Sequence, residues 1–135
     1  PAGGRLEEAA RRQTALQNGA DVNLIDEDGY DALMVAVAKD VNINIINAII
    51  KAGSDLDRQD NISLWTSLMR ACEKDRVELI EILIKNGADL TLKNDDEETA
   101  NDIYFINYKK TLDPILLKNK LEPTMTKSTK NAGIF

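Results

Sequence analysis

The stretch Leu79-Ile80-Glu81-Ile82-Leu83-Ile84-Lys85-Asn86-Gly87-Ala88-Asp89-Leu90-Thr91 decides the fold. Its first half sets apolar residues at i, i+3 and i+4, which gives an α-helix one buried stripe. The helix stops at Gly87, because glycine enters the left-handed conformation of a helix C-terminus without a Cβ penalty. The closing motif recurs as Ala52-Gly53-Ser54-Asp55-Leu56-Asp57 and as Asn18-Gly19-Ala20-Asp21-Val22-Asn23. Its glycines fall at positions 19, 53 and 87, so the two intervals are equal. The run Ile45-Ile46-Asn47-Ala48-Ile49-Ile50 repeats the helical stripe ahead of Gly53. An earlier helix precedes each: Asp31-Ala32-Leu33-Met34-Val35-Ala36-Val37-Ala38 aligns with Thr66-Ser67-Leu68-Met69-Arg70-Ala71-Cys72-Glu73. Asp31 and Thr66 suit the N-cap, where a side-chain oxygen accepts from a free backbone N–H. Ala36 and Ala71 permit close helix contact. One such helix pair cannot bury its apolar face alone, so the units must stack.

This pattern resembles the ankyrin repeat family. Asp26-Glu27-Asp28-Gly29-Tyr30-Asp31-Ala32-Leu33 matches the opening of a repeat, as do Asp60 to Ala71 and, in degenerate form, Thr99-Ala100-Asn101-Asp102-Ile103. The resemblance covers about residues 6–121 and implies an all-α fold. It would be a short ankyrin-type solenoid of stacked helix-turn-helix repeats with β-hairpin-like finger turns. Residues 1–121 form the expected repeat domain. Within it, 5–25 are an N-terminal half-repeat with a helix at 5–18, 26–59 and 60–93 are full repeats, and 94–121 are a capping repeat. In the cap, Asp102 to Tyr108 form the first helix and Thr111-Leu112-Asp113-Pro114 open the second. Residues 122–135 read as an irregular tail.

The chain departs from the family in ways that carry expectations. Met34 and Met69 stand where the family has His, so turn stability is expected from apolar packing. The interval from Leu33 to Gly53 exceeds that from Leu68 to Gly87 by one position, which puts an extra residue near Val41 between the helices of the first full unit. The interval from Gly53 to Leu68 likewise exceeds that from Gly19 to Leu33 by one, so the second finger is expected to bulge among Asn61 to Leu64.

Composition excludes several function classes. The 135 residues include no His and one Cys. His-based general base catalysis, His-activated nucleophiles and most zinc sites are therefore absent. A single Cys fits a reducing compartment. Aromatic residues are 4% of the chain, so the core must be aliphatic. No apolar run is long enough to span a membrane, and no signal peptide pattern opens the chain. No phosphate-binding glycine motif is found. Asp26-Glu27-Asp28-Gly29 brushes the calcium-loop pattern, but Leu24 and Val35 would occupy its first and last ligand positions. No cofactor is expected. The chain begins at Pro1 without Met, which suggests processing or excision from something longer.

The net charge of −6 is unevenly spread. Residues 21–102 carry a balance of −11, while residues 103–135 carry +4, from Lys109, Lys110, Lys118, Lys120, Lys127 and Lys130 against Asp113 and Glu122. An acidic body argues against nucleic-acid binding, which needs clustered Lys and Arg. The basic end reads either as a solvated tail or as a segment that docks on the acidic body or on another anionic surface.

In the family, finger tips and first helices line a concave groove that binds proteins. The resemblance carries this over residue by residue. The first full unit contributes Glu27, Asp28, Tyr30, Met34, Ala38 and Lys39. The second contributes Asn61, Ile62, Trp65, Met69, Glu73 and Lys74. The cap contributes Asp95, Asp96, Glu98 and Asn107. Tyr30, Trp65 and Glu98 share one finger position. Trp65, the only Trp, is either a partner contact, as Trp and Tyr often are at hot spots, or local packing over the bulged finger. The acidic tips are either a solvated edge or a means of selecting basic partners. Cys72 falls at a core position. Thr126, Ser128 and Thr129 read as polar tail residues or as phosphorylation sites.

The resemblance thus implies a non-enzymatic protein-interaction module. Its expected partner is a protein, in particular a basic peptide or helix, and neither nucleic acid nor a membrane. A monomer in the cytoplasm is expected, which leaves delivery into a host cell open. The alternative is a regulatory or targeting domain cut from a larger enzyme or secreted effector.

Overall fold

The computed structural model describes residues 21–121. The expected helix at 5–18 and the expected irregular tail at 122–135 lie outside the described residues. Among the described residues, six helices follow in order: α1 (Ala32–Ala38), α2 (Ile43–Lys51), α3 (Ser67–Glu73), α4 (Val77–Lys85), α5 (Ala100–Tyr108) and α6 (Asp113–Lys118), with α1 packed on α2 and α3 on α4. Those residues include no strand. The first helices α1, α3 and α5 stack in series.

Each first helix starts where a side chain can cap it. The carboxylate of Asp31 accepts from Met34 N at 2.9 Å, and Thr66 Oγ1 accepts from Met69 N at 3.2 Å. Thr99 and Asp102 form a reciprocal capping box, so α5 begins at Ala100, two residues before its expected start. The second box is unusual: Thr66 N donates toward Met69 Sδ at 3.4 Å, so the thioether stands where a Glu side chain usually accepts. The N-caps expected at Asp31 and Thr66 are thus formed, in addition to the apolar packing expected in place of the family's His. Each such cap contributes about 1 kcal/mol.

The two irregularities fall where the spacing puts them. Residues 39–42 join α1 to α2, whereas residues 74–76 join α3 to α4. The extra residue allows Asn42 to cap α2, accepting from Asn44 N at 2.7 Å. The fingers close on themselves: Asp26 N donates to Tyr30 O, Asp60 N to Trp65 O, and Asn94 N to Glu98 O. The second finger holds one residue more, and Leu64 (φ 60°) takes the left-handed position that Gly29 (φ 80°) takes in the first. A left-handed Leu costs about 1–2 kcal/mol. The buried Asp60 carboxylate offsets this by accepting from Ile62 N (2.8 Å), Ser63 N (2.7 Å) and Trp65 N (3.2 Å).

Adjacent fingers are tied by Asn61 N to Asp28 O (2.9 Å) and Asp95 N to Ser63 O (3.0 Å). On the opposite side the linkers form a second ladder: Asp55 N donates to Asn23 Oδ1, and Asp89 N to Asp57 Oδ1, both at 2.7 Å. Between these ladders lies the aliphatic core, with Leu33, Ile46, Leu68, Leu79, Leu83, Ile103 and Leu116 all at 2% exposure or less. This stacking places the first helices and the fingers on one continuous face.

Candidate functional site

A recess of about 220 Å³ opens where the first two fingers meet α1 and α3. Its lining includes Tyr30, Met34 and Ala38 from the first unit, and Asp60, Trp65, Thr66, Ser67, Arg70, Glu73 and Lys74 from the second. Small-molecule pockets run about 300–1,000 Å³. This recess is smaller and open, the size for one or two partner side chains.

Its geometry follows from the finger lengths. Tyr30 and Trp65 each directly precede an N-cap, so both rings leave the finger just above a first helix. Both are half-buried. Trp65 packs partly on the core, while the Arg70 guanidinium carbon lies 4.4 Å from its ring centroid. The two readings of Trp65 are therefore not exclusive: one part of the ring supports the bulged finger and another lines the recess. Arg70 also pairs with Glu73 at 2.9 Å, which fixes the guanidinium across the indole. Such a stack contributes about 0.5–1 kcal/mol at an exposed site.

The floor of the groove is charge-balanced. Arg70 is held by Glu73, and Lys74 lies 3.2 Å from Asp40, which also meets Arg76 at 3.5 Å. The finger tips are not balanced. Glu27, Asp95, Asp96 and Glu97 are exposed, and Lys93 approaches Glu97 only to 4.0 Å. The net field of this edge is negative, which favours a positively charged partner on approach.

The residues expected at the groove are divided by the structure. Tyr30, Met34, Trp65, Glu73 and Lys74 come together around the recess, although Met34 is only 9% exposed. Met69 does not join them. It is 1% exposed, turned into the core with its sulfur on the Thr66 backbone. Asn61 packs over Gly29, where a Cβ would meet its Cγ at 2.7 Å. Ile62 is 65% exposed at the finger tip. Glu98 turns inward to accept from Asn94 Nδ2 at 3.0 Å. Glu27, Asp28, Asp95 and Asp96 stay at the tips, and Lys39 lies outside the recess lining. Asn107 is exposed and donates to Ile103 O within α5.

Arg70 lines the recess although the repeat alignment does not point to it. Its counterpart in the first unit is the buried Val35, so alignment of the units points inward at this position. Only the length of the Arg side chain carries its charge around to the groove. Cys72 is fully buried, and burial, with the Asp75 charge second, pushes its thiol up to about 12. It is a core residue and not a nucleophile. Among the described residues no group of three His, Cys, Asp or Glu side chains is placed to hold a metal ion, and no helix is long and apolar enough to cross a membrane.

Comparison with known proteins agrees with this architecture. A family model for ankyrin repeats, three copies, matches residues 6–94. The ankyrin repeat and SAM domain-containing protein 6 of Mus musculus is 28% identical over 95 residues, covering 70% of this chain and 11% of that protein. Protein phosphatase 1 regulatory subunit 27 of Mus musculus is 30% identical over 106 residues, covering 78% of this chain and 66% of that protein. Among solved structures, the ankyrin repeat domain of Bcl-3, described as a unique member of the IkappaB protein family, superposes with a TM-score of 0.62 at 26% identity. That match covers 67% of this chain and 40% of the other.

Proposed function

This chain belongs to the ankyrin repeat family, and from that premise we propose that it is a non-enzymatic module that grips a protein segment along its concave face. Ankyrin repeats are a fold through which proteins bind proteins, and chemistry in relatives lies in separate domains. The observation that carries the reading is the recess between Tyr30, Met34 and Trp65. It sets two aromatic rings and a thioether among paired charges, a mixture of the kind found at interface hot spots. An aliphatic or aromatic side chain of the partner enters this seat. Flanking Lys or Arg residues of the same segment meet Glu27, Asp95 and Asp96. The partner is thus a basic peptide or helix, bound by a monomer in the cytoplasm.

The test is affinity capture with the full chain against Trp65→Ala and Tyr30→Ala, read by mass spectrometry. Proteins that depend on the groove are retained by the parent and lost by both variants. Equal recovery on all three baits would remove the anchor role.

A second reading has a specific support. The chain spans only 11% of the first relatives it matches, and another is a phosphatase regulatory subunit. On this reading the same groove serves as the targeting or regulatory part of a larger protein. Sequence of the intact gene product discriminates the two.

A further inference from the structure

One apolar side chain of α5 continues the row that lines the recess. Ala38 and Glu73, each seven residues after its N-cap, line the recess itself. The residue seven after Thr99 is Ile106, and it is 56% exposed. Because α5 stacks on α3 as α3 stacks on α1, Ile106 takes the next place along the same face. Tyr108 joins the two stretches: its hydroxyl donates to the carbonyl of Glu73, and its ring meets Tyr104 edge-on. Towards the fingers this part of the groove is acidic. Asp102 stands at the position of Met34 and Met69 and is exposed, as are Asp95 and Asp96 at the finger tip. Phe105 is also half exposed, but its counterparts Val37 and Cys72 are core residues, so it lies on a different face of α5.

Resting on the concave-face reading above, we infer that Ile106 is a second apolar anchor of the groove. Its partner is an extended basic segment with large apolar residues at i and i+4. Distance sets the spacing. Packed helix axes lie about 8–10 Å apart. The recess sits between α1 and α3, so its centre is one and a half spacings, about 12–15 Å, from α5. An extended chain advances about 3.3 Å per residue, so four residues cover about 13 Å. Its side chains alternate between faces, which sends i, i+2 and i+4 together towards the floor. A helix, rising 1.5 Å per residue, needs about eight residues or more for the same span.

Charge sets the residues between. The floor beside the recess carries the Arg70–Glu73 pair, so position i+2 is polar. Positions i+1 and i+3 point off the floor, where Lys or Arg meets the field of Asp95, Asp96 and Asp102. The segment therefore reads apolar, basic, polar, basic, apolar.

Fluorescence anisotropy of labelled ten-residue peptides titrated with the full chain tests this. Each peptide is a Lys and Ser background with Phe at position 2 and one Leu at position 4, 5, 6, 7 or 9, or none. Leu at position 6 is expected to bind about five- to tenfold tighter than the peptide without Leu. That gain is expected to vanish in Ile106→Ala and to persist in Phe105→Ala, with the melting temperature of Ile106→Ala unchanged. Equal affinity wherever Leu stands, or an undiminished gain in Ile106→Ala, overturns the inference. Tightest binding with Leu at position 9 does so too, because it assigns the groove to a helix. Trp65→Ala separates the two readings. If it weakens binding while Ile106→Ala does not, the recess stands and the second anchor is removed. Parental affinity for every peptide in Trp65→Ala, or no binding by any peptide, removes the recess and the second anchor together.

Discussion

Asp75 ties the second full unit to the closing helix pair, and its replacement separates three physical effects. It sits in the loop after α3 at φ 52°. One carboxylate oxygen accepts from the Tyr104 hydroxyl at 2.6 Å, the other from Lys110 Nζ at 2.8 Å. Tyr104 is 2% exposed, so its hydroxyl has few other partners. Lys110 is 49% exposed, so its ion pair is heavily screened. Asp75→Asn keeps an acceptor for Tyr104 and keeps the left-handed preference, losing only the ion pair, at most about 1 kcal/mol. Asp75→Gly also loses the charge-assisted hydrogen bond, for a total of about 2 kcal/mol. Asp75→Ala adds the left-handed cost of about 1 kcal/mol, for a total of about 3 kcal/mol. At roughly 4 °C per kcal/mol for a chain of this size, the Ala variant melts about 12 °C below the parent. Circular dichroism melts and urea titrations of the three variants read the series directly. An Asn variant as damaged as the Ala variant refutes the reasoning, because the ion pair would then outweigh the buried hydroxyl. So does an Ala variant whose melting temperature and urea midpoint match the parent's.

Acid should loosen the same region. The Asp75 carboxyl is held below its ordinary range, first by Lys110 and then by Tyr104; that of Glu81 is held down first by Asn119 and then by Lys118. A carboxylate with a lowered folded pKa stabilises above its unfolded value and loses that contribution as pH falls through the folded one. Melting temperature is therefore expected to be flat from about pH 7 to 5 and to drop below about pH 4, with a shallower drop in Asp75→Asn. Gly29→Ala is expected to destabilise by about 1–2 kcal/mol from the positive φ alone, and further because Asn61 must move, in urea unfolding. Cys72, fully buried with a raised pKa, should resist alkylation at about pH 8 in the folded chain and react at a rate that tracks unfolding as urea is added.

Much of the architecture is legible in the sequence because it rests on backbone periodicity. The equal spacing of Gly19, Gly53 and Gly87, the extra residue before Asn42 and the bulged second finger all follow from counting between a turn Leu and a closing Gly. The site is less legible because it depends on where long side chains turn. Met34 and Met69 align, yet Met69 closes its own capping box while Met34 borders the recess. Glu98 aligns with Tyr30 and Trp65, yet its carboxylate is taken by Asn94 within the finger. Arg70 aligns with a buried Val35, and only its reach to Trp65 brings it to the groove. Phe105 is similar. As sequence it is one more apolar helix residue, and only its exposure of 49%, against 0% for Cys72 at the equivalent place, sets it apart.

The central claim is that the concave face between the first two fingers recognises a positively charged protein segment around Tyr30 and Trp65. Peptides selected from a random displayed library against the full chain, then titrated by calorimetry, test it most directly. The account predicts sequences with one large apolar residue flanked by Lys or Arg. It predicts affinity about tenfold or more weaker for Trp65→Ala and unchanged for Glu78→Ala on the exposed start of α4. Selected peptides without basic residues, or bound as tightly by Trp65→Ala as by the parent, would contradict it.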